Sequence, residues 1–184
     1  MPEIPPFDAL SFFEQFTANG VQVGSAELQP VLEFTLLWNL FEREAHERYM
    51  SVGGLRTVVD ENDNAGKLDC EAFKPHLNFF RTRYPDLDEV SALRRRLTPR
   101  DHRMGRTRGT DNLNIVKRVI KGELSDPGNV VYALLFIAYR VRNNLFHGEK
   151  DIHTLHLQED LFRTVNSFLS IYLKQTLEER QIGG

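Results

Sequence analysis

The stretch VVYALLFIAYRV, residues 130–141, decides the fold class of this chain. The turn signal SDP at 125–127 precedes it, and His147 and Gly148 follow it a few residues later. Wound as a helix, the stretch is apolar almost all round, which is typical of a central helix covered on several sides. It is shorter than the roughly 18 apolar residues that a membrane span requires. The sequence therefore predicts a buried helix over about 127–146 and no transmembrane segment.

Helical periodicity extends along most of the remaining chain. An apolar stripe at i, i+3, i+4, i+7 and i+11 comprises Phe34, Leu37, Trp38, Phe41 and Ala45. It predicts a helix that begins at Pro30 and ends near Tyr49. Similar patterns predict helices over 7–17, from Pro75 to about 84, over 86–97, from Asp111 to near Gly122, and over about 154–179. Residues 51–69 look like a polar connection in which Val58 and Val59 are the only strand candidate, so the prediction is an all-α bundle.

Composition excludes several classes of protein. The 184 residues carry 23 basic and 26 acidic side chains, a formal net charge of −3, which excludes a globally basic nucleic-acid coat protein. The single cysteine, Cys70, excludes an internal disulfide framework and a cysteine-cluster zinc site. The N-terminus has no basic segment followed by an apolar run, so we expect no signal peptide and a cytoplasmic location.

Two groups of residues have a weak similarity to metal sites. Residues 60–71, DENDNAGKLDCE, place oxygen ligands at calcium-loop positions, but Ala65 replaces the turn glycine and Lys67 replaces a hydrophobic residue. His153 and His156 are three residues apart, a spacing that surface histidines also show. We expect a solvated loop in the first case and surface histidines in the second, and hence no metal and no cofactor.

A concentrated basic stretch lies at 94–108. It contains seven arginines, Arg94, Arg95, Arg96, Arg100, Arg103, Arg106 and Arg108, and one acid, Asp101. Arginine pairs well with phosphate, so a cluster on an exposed loop over 97–110 suggests contact with a nucleic-acid backbone, which would be RNA if the chain is a ribonuclease. The alternative is that Arg94, Arg95 and Arg96 simply line a solvated helix face.

The most informative motif is RNNLFHG, residues 142–148, at the C-terminal end of the predicted central helix. Asn143 and His147 are four residues apart, so an amide lies beside an imidazole and can orient it. Arg142 is offset around the helix, but its side chain is long enough for the guanidinium to reach an anion bound beside Asn143 and His147. An imidazole for proton transfer and a guanidinium for phosphate charge suit phosphoryl transfer without a metal. A buried helix can also end in polar residues simply because it reaches solvent.

This motif and its helical setting, residues 111–180, resemble the HEPN superfamily, whose signature is an arginine, a polar residue and a histidine near the end of the penultimate long helix. The resemblance implies a helical bundle, and we expect a single helical domain over 1–184. Residues 111–180 would form its HEPN-like core, and residues 1–110, including the basic loop 94–110, would form an N-terminal helical elaboration.

The resemblance also implies an activity. It implies a homodimeric, metal-independent endoribonuclease in which Arg142 and His147 are catalytic and Asn143 supports them. Such proteins occur in toxin–antitoxin and antiviral systems, so an antitoxin or defence partner is expected. Two alternatives remain: a non-catalytic dimeric interaction or nucleotide-binding module, and a helical adapter that binds nucleic acid through its arginines.

Overall fold

The computed structural model describes residues 25–45, 50–84, 108–146 and 158–177. Within those ranges 86% of residues are helical, in six α-helices with no strand, which confirms the all-α prediction. The helices are α1 (Ser25–Glu44), α2 (Val52–Asn64), α3 (Lys74–Arg83), α4 (Arg108–Ile120), α5 (Pro127–Phe146) and α6 (Glu159–Leu177). A short 3₁₀ helix, Cys70–Phe73, leads directly into α3.

Helix α5 is the centre of the bundle. Every residue from Val130 to Ala138 is buried, so two and a half turns are covered on all sides. Helices α2, α3, α4 and α6 and the 3₁₀ helix all contact α5. Its bounds agree with those predicted from the apolar run, because a helix with no polar face is stable only where other helices surround it.

The largest helix–helix contact joins α1 to α6. The aromatic rings of Phe34 and Phe162 meet edge to face at 5.6 Å, and those of Phe41 and Tyr172 do so at 5.8 Å. Both contacts advance along the two helices in the same direction, so α1 and α6 run parallel. Edge-to-face pairs of this kind add about 0.5–1.5 kcal/mol beyond the burial of their surface.

The predicted polar connection over 51–69 is wrong, because residues 52–64 form α2. Ser51 caps this helix by accepting a hydrogen bond from the backbone N–H of Gly54, at 3.0 Å. Leu55 and Val59 are one turn apart and are both fully buried. This narrow apolar face packs α2 against the core, while its acidic residues face outward. The strand expected at Val58 and Val59 does not form, because both residues belong to α2.

Two helix starts also differ from the prediction. Helix α1 begins at Ser25, so Pro30 lies inside it and removes one backbone hydrogen bond from its second turn. Helix α4 begins at Arg108, so Asp111 lies within that helix and the predicted loop 97–110 cannot extend beyond 107. Pro75 lies in the first turn of α3, as predicted, and Gly122 ends α4 with a φ of 79°.

None of the helices in these four ranges combines the length and the apolar content needed to cross a membrane.

Candidate active site

The start of α5 is fixed by side chains that cap its first turn. Asp126 Oδ1 accepts a hydrogen bond from the backbone N–H of Asn129 at 3.0 Å, and Asp126 Oδ2 accepts one from the Asn129 amide at 2.9 Å. Partial burial opposes ionisation of Asp126, but these hydrogen bonds outweigh it and lower the pKa of its carboxyl group. Arg56 of α2 donates to Asn129 Oδ1 at 3.0 Å and thereby joins α2 to this end of α5.

The C-terminal half of α5 changes from apolar to polar within a single turn. Arg140 and Asn143 are buried, with 8% and 7% of their surfaces exposed, and Arg142 is half-buried. Arg140 and Asn143 are three residues apart and share a face of the helix. Burying a guanidinium costs free energy unless hydrogen bonds or charges compensate for the lost water.

Arg142 and Asn143 contact each other directly. The Arg142 Nη1 donates a hydrogen bond to Asn143 Oδ1 at 3.2 Å. Because Asn143 is buried, its carbonyl oxygen is held in place and restricts the directions in which the guanidinium can point. A guanidinium carries five N–H donors in a planar fork, a geometry that suits a phosphate.

Contacts among the helices show which part of the bundle carries this arginine. Asn62 of α2, whose helix meets the start of α5, donates a hydrogen bond to the Tyr172 hydroxyl near the end of α6, at 3.1 Å. The start of α5 therefore lies at the Tyr172 end of α6, and the end of α5 points the other way, toward Phe162. The rings of Trp38 on α1 and Tyr139 on α5 lie 6.2 Å apart. Trp38 belongs to the C-terminal half of α1, so that half of α1 contacts α5 one turn before Arg142.

Several predicted site residues lie outside the described residues. These are His147, the six arginines at 94, 95, 96, 100, 103 and 106, and the histidines at 153 and 156. The structure therefore brings together Arg142 and Asn143 of the predicted catalytic set. Arg108 is the first residue of α4 and belongs to a helix, not to the predicted basic loop.

Residues 60–71, which we expected to form a solvated loop with only a weak similarity to a calcium site, are partly helical. The first five residues, 60–64, are the last part of α2, and Glu71 lies in the 3₁₀ helix. Asp60 pairs with Arg56 at 2.7 Å, so its carboxylate already has a cationic partner. Among the residues that the structure describes, no three histidine, cysteine or carboxylate side chains form a group that could hold a metal ion.

The burial of Arg140 and of His76 was not predicted from the sequence. Arg140 was taken as part of an apolar run, although an arginine three residues before Asn143 and two before Arg142 is itself a signal of a polar helix end. His76 of α3 is buried, and its Nε2 lies 3.0 Å from Ser167 Oγ of α6. Burial lowers the pKa of His76, so this imidazole is a neutral hydrogen-bonding group that ties α3 to α6.

No family model, curated protein or solved structure matches this chain.

Proposed function

We propose that this protein is a metal-independent endoribonuclease of the HEPN type, acting as a homodimer. The observation that carries the proposal is the Arg142–Asn143 contact in the last turn of a buried helix, which ends at Phe146, the residue before His147 in the sequence. A rigid helix that presents an oriented guanidinium is the kind of support that stabilisation of a phosphoryl-transfer transition state requires.

The proposed reaction is an internal transesterification of RNA. The 2′-oxygen attacks the adjacent phosphorus, the bond from phosphorus to the 5′-oxygen breaks, and a 2′,3′-cyclic phosphate forms. One proton leaves the 2′-hydroxyl and one is delivered to the 5′-oxygen. His147 moves these protons, and Arg142 offsets the negative charge that builds up on the pentavalent phosphate. Since the nucleophile is part of the substrate, no metal-bound hydroxide is needed.

Asn143 acts as a positioning residue in this proposal. Its carbonyl oxygen holds Arg142, and its side chain stays on the inner face of α5 because that face is buried. Each chain supplies one such set of residues, so we propose that the cleft is completed by the same set of a second copy. An activity of this kind is harmful to a cell unless restrained, which fits a toxin or antiviral effector with a restraining partner protein.

Cleavage of RNA in EDTA tests the proposal. Purified protein is incubated with single-stranded RNA, and the ends of the products are analysed. We expect cyclic phosphates from the unmodified chain and at least about 100-fold slower cleavage by His147→Ala and Arg142→Ala. Arg118→Ala, at a half-exposed arginine of α4 that pairs with Glu123, is the matched control and should cleave normally.

The second candidate is a dimeric interaction module without catalysis. Leu32 and Leu36 on α1 favour it, because these two exposed leucines lie one turn apart on the same helix face, which suits protein contacts whether or not RNA is cleaved. A folded dimer that is free of any restraining partner and leaves varied RNAs intact would support this candidate instead.

A further inference from the structure

A buried histidine and an exposed serine meet where α3 packs against α6. His76 Nε2 lies 3.0 Å from Ser167 Oγ, which is a hydrogen-bond distance. Only 6% of the surface of His76 is exposed, and its ring packs against the rings of Phe73 and Phe168. Ser167 itself is exposed. The serine hydroxyl therefore lies between solvent and an imidazole that aromatic rings shield from water.

The surroundings of this imidazole suit it to accept a proton. Burial lowers the pKa of His76, so the ring is neutral at neutral pH. The backbone groups of Phe73 and Ala72 act on this pKa in the opposite direction, as hydrogen-bond acceptors do, although Nδ1 has no partner in regular hydrogen-bond geometry. They favour the tautomer with the proton on Nδ1, in which Nε2 accepts the hydrogen of the Ser167 hydroxyl. A neutral imidazole in this position can act as a general base.

Ser167 also lines a groove between α1 and α6. The groove has a volume of about 550 Å³, and Leu36, Leu37 and Leu40 of α1 form an apolar wall along it. A space of this size accommodates a small organic molecule. The leucines favour an aliphatic chain there, because the chain loses its contact with water when it lies against them. The exposed hydroxyl and the apolar wall thus belong to the same groove.

A cationic side chain lies one turn before Ser167. Arg163 is four residues earlier on the same face of α6 and lines the same groove. It pairs with Glu159 at 2.7 Å, and its side chain is 58% exposed. Exposed pairs of this kind contribute little free energy, so the guanidinium is able to turn toward a negative charge that develops beside Ser167. Such a charge develops on a carbonyl oxygen when a hydroxyl attacks its carbon.

We propose that Ser167 is a nucleophile activated by His76, and that the groove takes esters of aliphatic carboxylic acids. Ser167 Oγ bonds to the carbonyl carbon, and its proton passes to His76 Nε2. The bond from that carbon to the alcohol oxygen breaks, and the alcohol leaves with the proton from His76. Water then attacks the same carbon, so the carboxylic acid leaves and Ser167 regains its proton. This activity goes beyond the proposed ribonuclease and uses none of its residues.

Ser170 provides an internal comparison. It lines the same groove one turn further along α6. Its hydroxyl donates a hydrogen bond to the backbone carbonyl of Ser167 at 2.9 Å, so its partner is a carbonyl and not an imidazole. A serine hydroxyl is a weak nucleophile unless an adjacent base accepts its proton. The proposal therefore predicts reaction at Ser167 and not at Ser170.

The first test is covalent labelling by an alkyl fluorophosphonate. The serine oxygen bonds to phosphorus, fluoride leaves, and mass spectrometry of a digest locates the label. We expect Ser167 to react at least about 100-fold faster than Ser170, the lower range of what a general base contributes. His76→Gln should remove this difference, because its amide can still bond to Ser167 but cannot accept a proton. A histidine that only ties α3 to α6 predicts slow and equal labelling of both serines.

The second test is turnover of p-nitrophenyl butyrate. We expect Ser167→Ala to reduce kcat/KM by about 100-fold or more, while Ser170→Ala, the matched control, should react normally. The butyrate ester should react about ten-fold faster than the acetate ester, because two more methylene groups lie against the leucines. Circular dichroism checks that each variant is folded.

The outcomes are distinct for this inference and for the ribonuclease. Equal labelling of Ser167 and Ser170 in the unmodified chain would overturn the inference, and that comparison does not depend on the folding of any variant. Rapid labelling of Ser167 in a folded His76→Gln variant, or unchanged turnover by Ser167→Ala, would also overturn it. Ser167→Ala should cleave RNA at the normal rate, so failure of either activity leaves the other standing.

Discussion

Replacing Asn143 by aspartate should abolish most RNA cleavage without unfolding the protein. Aspartate has nearly the same shape, so its carboxylate still accepts the hydrogen bond from Arg142 that Asn143 accepts at 3.2 Å. The new negative charge, however, lies about as close to Arg142 as the scissile phosphate has to come for Arg142 to stabilise it. The attraction between Arg142 and the phosphate is then largely offset by repulsion from the carboxylate.

The magnitude follows from Coulomb's law. At an effective dielectric constant of about 20, unit charges about 4 Å apart interact with about 4 kcal/mol. Cancelling that attraction corresponds to up to about three orders of magnitude in rate. The loss of one preorganised donor costs a similar factor in other enzymes. We therefore expect Asn143→Asp to slow cleavage by about 100- to 1,000-fold.

The assay compares initial rates of RNA cleavage in EDTA, alongside thermal unfolding. Asn78→Asp is the matched control, because Asn78 on α3 also accepts a hydrogen bond from an arginine, Arg81, but is exposed and far along the chain from the motif. It should cleave at the normal rate. A folded Asn143→Asp variant that cleaves within three-fold of the unmodified chain would show that the charge of Arg142 does not act on the phosphate.

Three further predictions concern stability and substrate. Leu135→Ala, at a fully buried position of α5, should lower the free energy of unfolding by about 2–5 kcal/mol in denaturant titrations, and a change below about 1 kcal/mol would contradict a central role for α5. Burial lowers the pKa of His76 in the folded protein, so as the pH falls below about 6.5 the unfolded chain takes up a proton on this imidazole more readily than the folded protein does, and the free energy of unfolding decreases. His76→Asn should therefore flatten this part of the pH–stability curve. An unchanged slope would show that His76 is not the group responsible. An RNA with a 2′-deoxyribose at its cleaved position should resist cleavage there in a gel assay, since the attacking oxygen is missing, and cleavage at that position would exclude the transesterification.

Much of the fold was predictable because it depends on strong local signals. The apolar run at 130–141 and the SDP turn before it predicted the bounds of α5, because a helix that lacks a polar face is stable only where other helices bury it. Helix α2 was missed because only two buried residues, Leu55 and Val59, attach it to the core. Its many acids and Gly53 and Gly54 resemble a loop, and packing against α5 overrides their weak helix propensity.

The candidate site was predictable only in part. The residue types and the spacing of 142–147 indicate phosphate chemistry, and helical geometry puts Arg142 at the end of α5. The direct bond from Arg142 to Asn143 was not predictable, because the motif suggested an amide oriented toward the imidazole. The exposure of Leu32 and Leu36 on α1 also required the structure, since the same helix carries a buried apolar stripe that dominates its sequence pattern.

The most direct test of the central claim is RNA cleavage by the dimeric protein in EDTA, compared with His147→Ala and with mass analysis of the product ends. The account predicts 2′,3′-cyclic phosphates from the unmodified chain and their loss in the variant, with the dimer intact in both. Equal cleavage by a folded His147→Ala dimer, or intact RNA after incubation with the unmodified dimer freed of any restraining partner, would contradict it.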